Sequence, residues 1–293
     1  MLLRTTLLVS VSSDVASVSL RNALLEAAPW EPVASSEGEV LRARDVYWVH
    51  YANGERMTQL DGVDSRFERA VGVRADEVVF LSRHAAASGT PALCVHPIGV
   101  AAGSEASHGG EPGRFPPPAP LLAPTYRALR RAVKCIPVAC EATDKRFETS
   151  LEASHHGPVL DAPCCFVEIG STRDQWGQRG PADLWARVLA EVLWGGRRWG
   201  DLADDEKRQA TVVVGLGGGH YQPKLCDYVA ANDDVFLGHM LASYALSSSS
   251  SSSSGFRKDA SWRTTVQAAI DATRAAFPGA TNPFSTRTTI PTS

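Results

Sequence analysis

The sequence predicts an α/β protein, and three observations carry that reading. Short apolar runs alternate with segments of helical periodicity. Several of the runs are apolar at nearly every position, the pattern of strands covered on both faces. Polar motifs rich in glycine and histidine follow the runs, at the strand ends where open α/β sheets carry their ligand sites.

Strands are predicted over residues 6–11, 45–50, 77–81, 92–95, 147–151, 164–169 and 211–214. In the fifth of these Phe147, Thr149 and Leu151 alternate with polar neighbours, so that strand reads as half-exposed. The opening run, MLLRTTLLVSV, is short and lacks a small-x-small cleavage site, and it reads as a buried first strand rather than a secretory signal. A first helix is predicted over residues 15–28. The clearest helix spans 181–194, with proline in its first turn. There Leu184, Val188 and Val192 stack at i+4, Trp185, Leu189 and Leu193 form a second row, and Gly195 and Gly196 stop the helix. Two more helices are predicted at 126–134 and 261–276.

Three stretches fall outside this alternation. Residues 101–120 are rich in Gly, Ala and Pro, with three consecutive prolines at 116–118, and read as a long loop. Eight serines at 247–254 precede Gly255 and cannot bury apolar surface, so 247–255 reads as a flexible linker. The polar tail, 278–293, is expected to fray. No repeat is visible, and we read residues 1–293 as a single domain with these interruptions.

Composition narrows the function. With 44% hydrophobic and 21% charged residues the chain is neither disordered nor collagen-like. A net charge of -3 provides no global positive field, so any contact with nucleic acid must be local. Six cysteines without a CxxC pair fit neither a disulfide-built fold nor a thiolate zinc finger, and they read as reduced and mostly buried. No run approaches the roughly 18 apolar residues of a membrane span, and we expect a cytoplasmic protein.

The chemistry gathers around histidine. Ser82-Arg83-His84 follows the run 77–81, and His96-Pro97-Ile98-Gly99 follows 92–95, which would deliver both imidazoles to one edge from neighbouring strands. Glu152-Ala153-Ser154-His155-His156-Gly157-Pro158 follows 147–151; Glu168-Ile169-Gly170-Ser171-Thr172 ends 164–169; Gly217-Gly218-Gly219-His220-Tyr221 follows 211–214. Gly238-His239-Met240 is a weaker sixth motif. A lone histidine at a strand end is usually structural, but repetition at five strand ends argues for one composite site. Imidazoles with a carboxylate suit a catalytic zinc, which takes about three protein ligands and leaves a position for water. They equally suit a metal-free general base oriented by Glu168 or Glu152. No HExxH, GxSxG, GxGxxG or P-loop pattern is present.

These motifs resemble the D-aminoacyl-tRNA deacylases of the archaeal and plant type. The resemblance runs from Phe80-Leu81-Ser82-Arg83-His84 through Ser88-Gly89-Thr90-Pro91 and His96-Pro97-Ile98-Gly99. It continues through Gly109-Gly110-Glu111-Pro112, the Glu152–Pro158 and Phe166–Thr172 motifs with Trp176, and Gly217–Tyr221, to Gly238-His239-Met240 with Tyr244-Ala245-Leu246. It covers roughly residues 44–246. It departs at Val100, where the family usually carries Asn, and at Ser154, where Thr is common.

The resemblance implies a three-layer α/β/α fold with a mixed central sheet, similar to the phosphorylase/hydrolase-like proteins. It implies hydrolysis of the ester joining a D-amino acid to tRNA, extending in plant-type members to aldehyde adducts, and dependence on zinc, with more than one ion conceivable. On that basis we expect catalysis from His84, His96, His156, Glu168 and His220, and substrate contacts from Ser82, Arg83, Gly218, Gly219 and Tyr221. The metal is expected on His84, His96, His155 and Glu168. Arg130, Arg131 and Lys134 on one helix are candidates for the acceptor-stem phosphates. The partner is the tRNA acceptor end, with no DNA and no membrane. Alternatives are a peptidyl-tRNA hydrolase or zinc-dependent amidase on the same fold, or a tRNA-binding protein without catalysis.

Overall fold

A computed structural model describes residues 4–246, 261–281 and 285–288. In chain order the first half consists of β1 (Thr6–Val11), α1 (Val15–Ala27), β2 (Glu31–Val33), β3 (Glu39–Ala43), β4 (Val46–Tyr51), α2 (Val63–Val71), β5 (Glu77–Arg83), β6 (Ala92–Pro97) and α3 (Leu122–Cys135). Then come β7 (Glu148–Leu151), β8 (Cys164–Gly170), α4 (Arg173–Trp176), α5 (Arg179–Ala190), α6 (Asp204–Gln209), β9 (Thr211–Leu216), α7 (Pro223–Ala231), β10 (Val235–Leu241), α8 (Ser243–Leu246), α9 (Ser261–Ala276) and β11 (Ser285–Thr288).

Eight strands form a mixed sheet in the order β2-β3-β4-β1-β5-β8-β6-β7. The centre, β4-β1-β5-β8, is parallel, whereas β6 runs antiparallel to β8 and carries β7 parallel to itself. A smaller parallel sheet, β10-β9-β11, stands beside it. The continuous apolar runs explain the layers. In β1, β5 and β8 one parity packs with Leu20 and Leu24 of α1, Leu129 of α3, and Trp185 and Leu189 of α5. The other parity, including Val9, Phe80 and Phe166, packs with Phe67 of α2. The fold is therefore α/β with helices on both faces of a mixed sheet, as expected.

Several details differ from the sequence reading. Strands β5 and β6 are not neighbours, because β8 lies between them. The glycine-interrupted VFLGHML is a whole buried strand, β10, and its Gly238 leaves room for Thr273 of α9. Residues 285–288, within the tail expected to fray, pair in parallel with β9, and the ladder satisfies their backbone. The 247–255 linker lies outside the described residues. Residues 101–120 are pinned by backbone bonds from Val100 to the Arg114 carbonyl (3.0 Å) and from Gly113 to the Val100 carbonyl (2.8 Å).

One buried ion pair closes the sheet's lower end. Arg198 donates to Thr6 Oγ1 at 2.8 Å and to Glu77 Oε1 at 3.2 Å, and also to the Leu193 carbonyl. Removing one partner strands the other charge in the interior. Arg198→Met is expected to cost about 3–5 kcal/mol in urea unfolding. Adding Glu77→Leu should recover part of the loss; no recovery would refute the pairing as its cause.

Candidate active site

The mixed pairing brings the strand-end motifs together. Along the β6–β8 ladder Cys94 faces Glu168 and His96 faces Phe166, while on the other side of β8 Ser82 pairs with Glu168. Side chains alternate along strands, so Ser82, Glu168, Cys94 and His96 share one face. His84 follows β5 directly, its N–H bonded to the Ile169 carbonyl at 2.9 Å. Gly170 permits that approach, because a Cβ there would overlap the backbone and Cβ of His84. Isolated bridges pair Ile98 with His155 and Glu152 with Tyr221, which draws in the loops after β7 and β9.

Two carboxylates form the floor. Glu152 is fully buried and Glu168 is 3% exposed. Glu152 Oε1 lies 3.0 Å from His84 Nδ1, and its Oε2 accepts a hydrogen bond from His220 Nε2 at 3.0 Å. Glu168 sits between His84 Nδ1 at 3.5 Å and His96 Nε2 at 3.7 Å. An ionised carboxylate can only accept, so His84 Nδ1 and His220 Nε2 carry the hydrogens. The outer ring nitrogens then face phenols: His84 Nε2 lies 2.9 Å from Tyr221 Oη and His220 Nδ1 lies 2.9 Å from Tyr244 Oη. Burial alone would push both carboxyls up, but the neighbouring imidazoles outweigh it and hold both below the usual range. In return, and against their own burial, His84 and His96 are held above the usual imidazole range by Glu168 and Glu152.

Above this floor His96, His155 and His156 meet. Their rings are close, with centroids 4.1 Å apart for His96–His155, 4.3 Å for His155–His156 and 5.0 Å for His96–His156. Each ring bonds a backbone carbonyl through Nδ1: Pro97 at 3.1 Å, Ala153 at 2.8 Å and Gly157 at 2.6 Å. A carbonyl only accepts, so each Nδ1 bears hydrogen, and in the neutral ring each Nε2 is a lone pair. That arrangement is how metal-bound imidazoles are oriented. Burial first, and neighbouring imidazoles second, hold His155 well below its ordinary range and His156 at about 4. His96 Nε2 is buried without a hydrogen-bond partner. One ligand atom from each of the three rings falls within 4.8 Å of the other two. The donor set fits a divalent transition metal such as zinc. His156 also has φ +42, a conformation few non-glycine residues adopt, which fits a functional constraint.

Of the residues singled out from sequence, His84, His96, His155, His156, Glu168, His220 and Tyr221 converge here. His156, expected among the catalytic residues and not among the metal ligands, stands with His96 and His155 in a group that could hold an ion, while His84 turns Nδ1 toward the carboxylates. Ser82 donates its hydroxyl to Asp14 Oδ2 at 3.1 Å, and the Arg83 guanidinium lies 5.0 Å from the centre of the Trp176 ring. Among the described residues the N–H groups of Gly218 and Gly219 donate no hydrogen bond. Arg130 and Arg131 lie on α3 facing Asp227 at 3.4 Å and Glu191 at 2.7 Å, in the ion pairs of an ordinary solvated face. His239 is a buried structural residue, with Nε2 donating to the Pro116 carbonyl at 3.0 Å and Nδ1 accepting from Ser154 Oγ at 2.9 Å. Glu152 had been no more than one possible orienter in the sequence reading, although it heads the motif containing His155 and His156. Asp14 was missed altogether. It caps α1 through Ser17 (3.1 Å) and holds the Arg83 N–H at 3.1 Å, and Trp176 Nε1 donates to the His84 carbonyl at 2.8 Å.

Two predictions follow from this geometry. Gly170→Ala should displace His84 and lower turnover at least tenfold, about 1.4 kcal/mol of barrier, while the circular-dichroism melt shifts little; unchanged turnover would refute the close approach as a requirement. In metal-free protein the His156 ring should titrate near 4 and His239 near 3 by proton NMR. An unfolded histidine takes its proton near 6.5, so below that pH the unfolded chain binds more protons and stability rises with pH, between about 4 and 6.5 for His156 and between about 3 and 6.5 for His239. A titration near 6.5 for both rings would contradict their burial.

A family model described as D-aminoacyl-tRNA deacylase matches residues 71–277. The D-aminoacyl-tRNA deacylase of Arabidopsis thaliana is 34% identical over 289 residues, covering 94% of this chain and 87% of its own length. That of Thermococcus kodakarensis is 30% identical over 234 residues, covering 79% and 78%. A crystal structure of a conserved protein of unknown function shares the fold with a TM-score of 0.70 at 24% identity, over 92% of this chain and 93% of its own. The composite histidine–carboxylate site therefore stands in a chain that belongs to the D-aminoacyl-tRNA deacylase family.

Proposed function

We propose that the protein hydrolyses the ester joining a D-amino acid to the terminal ribose of tRNA, at a zinc ion held by His96, His155 and His156. The observation that carries the metal is the common orientation of the three rings, each tied at Nδ1 to a backbone carbonyl and none making a hydrogen bond through Nε2 among the described residues. When bound, zinc would polarise the ester carbonyl and bring the pKa of a water toward neutrality.

The chain's own groups account for the protons. Glu168, 3.7 Å from His96 Nε2, takes the proton of the attacking water. The water oxygen bonds the ester carbon, and the carbon–oxygen bond to ribose breaks. Tyr221, 37% exposed at the rim, gives its hydroxyl proton to the departing ribose oxygen and recovers one from His84 Nε2 at 2.9 Å. His84, backed by both carboxylates, is suited to hold that proton in reserve. Their free N–H groups support Gly218 and Gly219 as donors to the developing oxyanion. His220 keeps Glu152 ionised and, with Tyr244, borders the entrance.

The partner on this reading is the acceptor end of tRNA, met where translation takes place in the cytoplasm. No helix among the described residues is long and apolar enough to cross a membrane.

Deacylation of D-Tyr-tRNA against L-Tyr-tRNA, before and after chelation and zinc add-back, tests the proposal. Release from the D ester, abolished by chelation and restored by zinc, is the expected result. An N-alkylated D-Tyr-tRNA in the same assay tests the extension to aldehyde adducts. His156→Ala should lower turnover at least a hundredfold and abolish zinc retention by the purified protein. Zinc retained in full, or D ester that survives every condition, would overturn the reading.

A further inference from the structure

Asp14 is buried at the junction where β1 gives way to α1, and it takes no part in the proton transfers proposed above. Its two carboxylate oxygens accept three hydrogen bonds. Oδ1 takes the Ser17 N–H at 3.1 Å, which caps α1; Oδ2 takes the Ser82 hydroxyl and the Arg83 N–H, each at 3.1 Å. The first bond alone satisfies a helix cap. The other two run to β5, at the two residues that precede His84.

The sheet explains why β5 needs them. Its register with β1 stops at Val9–Phe80, whereas its register with β8 continues to Arg83–Ile169. Past Phe80 the strand is therefore paired on the β8 side, where the His84 N–H also donates to the Ile169 carbonyl and Trp176 Nε1 to the His84 carbonyl. Asp14 supplies the hold on the β1 side. Among the described residues no side-chain cation bonds Asp14, and the Arg83 guanidinium lies over Trp176 instead, 5.0 Å from the ring centre.

We propose that Asp14 is a positioning residue: through Ser82 and Arg83 it fixes the end of β5, and with it the reach of the His84 ring to Tyr221 and Glu152. The inference rests on the deacylase reading above, in which His84 returns a proton to Tyr221. It assigns Ser82 to the support of His84 and not to the substrate. The tolerance is small. His84 Nε2 lies 2.9 Å from Tyr221 Oη and Nδ1 lies 3.0 Å from Glu152 Oε1, and a hydrogen bond is lost by about 3.6 Å. A carboxylate is required because all three partners donate. Asparagine has the same shape but a single acceptor oxygen, so either orientation of its amide sets N–H against N–H, at Ser17 or at Arg83.

The test compares Asp14→Asn, Ser82→Ala and Ser17→Ala with wild type, on the zinc-loaded full chain. Ser17 Oγ accepts the Val11 N–H at 3.0 Å, so Ser17→Ala loosens the same helix entry without touching Ser82 or Arg83. For D-Tyr-tRNA, Asp14→Asn is expected to lower kcat about tenfold or more and Ser82→Ala about threefold, each with KM within about twofold. The double variant should be no slower than Asp14→Asn, because both changes cut one linkage. Ser17→Ala should lower the melting temperature and hold kcat within about twofold. The His84 ring resonances in histidine-labelled protein read the position without turnover. They should move in Asp14→Asn and Ser82→Ala and stay in place in Ser17→Ala. Should Asp14→Asn fail to fold, the two readouts on Ser82→Ala decide alone. If wild type cleaves no D ester and the ring still responds in that pattern, the deacylase reading falls and the positioning role stands. Raised KM with unchanged kcat in Ser82→Ala, or a His84 ring unmoved by both changes, would overturn the role while leaving deacylation intact.

Discussion

An ionised carboxylate taken out of water costs several kcal/mol unless donors replace the water. Two such groups, Glu152 and Glu168, lie buried side by side here, and much of the site follows from keeping them there. Their imidazole neighbours come from distant segments: His84 after β5 and His220 after β9 at 3.0 Å, and His96 at the end of β6 at 3.7 Å. Each inward hydrogen decides where the rest of its ring points. His84 must turn Nε2, and His220 must turn Nδ1, toward the tyrosines at the rim. Stabilising the floor and orienting the functional nitrogens are therefore one event.

The antiparallel placement of β6 sets the depth of each ring. Were β6 parallel to β8, its C-terminal end would emerge beside His84 at the sheet's rim. Running the other way, it carries His96 down to the level of Phe166, against whose ring it stacks at 5.1 Å. His96 is consequently sealed from solvent, and His84, past the end of its strand, is also buried but reaches Tyr221 of the rim at 2.9 Å. The chain after β6 then leaves beneath His155, which the Ile98 bridge holds over His96.

Local periodicity made much of the fold legible. The strand at Thr6–Val11 and the helix at Ser261–Ala276 have the limits their patterns predict, because each buries one uninterrupted feature. Strands β2 and β3 carry no comparable signal: β2 is three residues with Pro32 at its middle, mostly exposed on the sheet's edge. The order of strands was not legible at all, since apolar runs report burial and not partners; hence β8 between β5 and β6 was unforeseen. Within the site, histidines after strands were visible because glycine and proline accompany them. Asp14 was invisible for the opposite reason. As a helix cap it looks like any other, and its second task, holding Ser82 and Arg83, spans 68 and 69 positions of sequence.

Histidine serves two purposes here, and the partner of each ring separates them. His155 and His156 bond only carbonyls, and burial with neighbouring imidazoles outweighs the nearby carboxylates and holds both rings neutral, which keeps their lone pairs available as ligands. His84, tied to carboxylates, is biased toward holding a proton, which suits acid–base work. His96 belongs to both groups, with Nδ1 on the Pro97 carbonyl and Nε2 facing Glu168. That nitrogen can bear a proton toward the carboxylate or donate its lone pair to a metal, but not both at once. On the proposed reading, metal binding and proton storage would be coupled through one buried atom, and the coupling would come from where β6 ends.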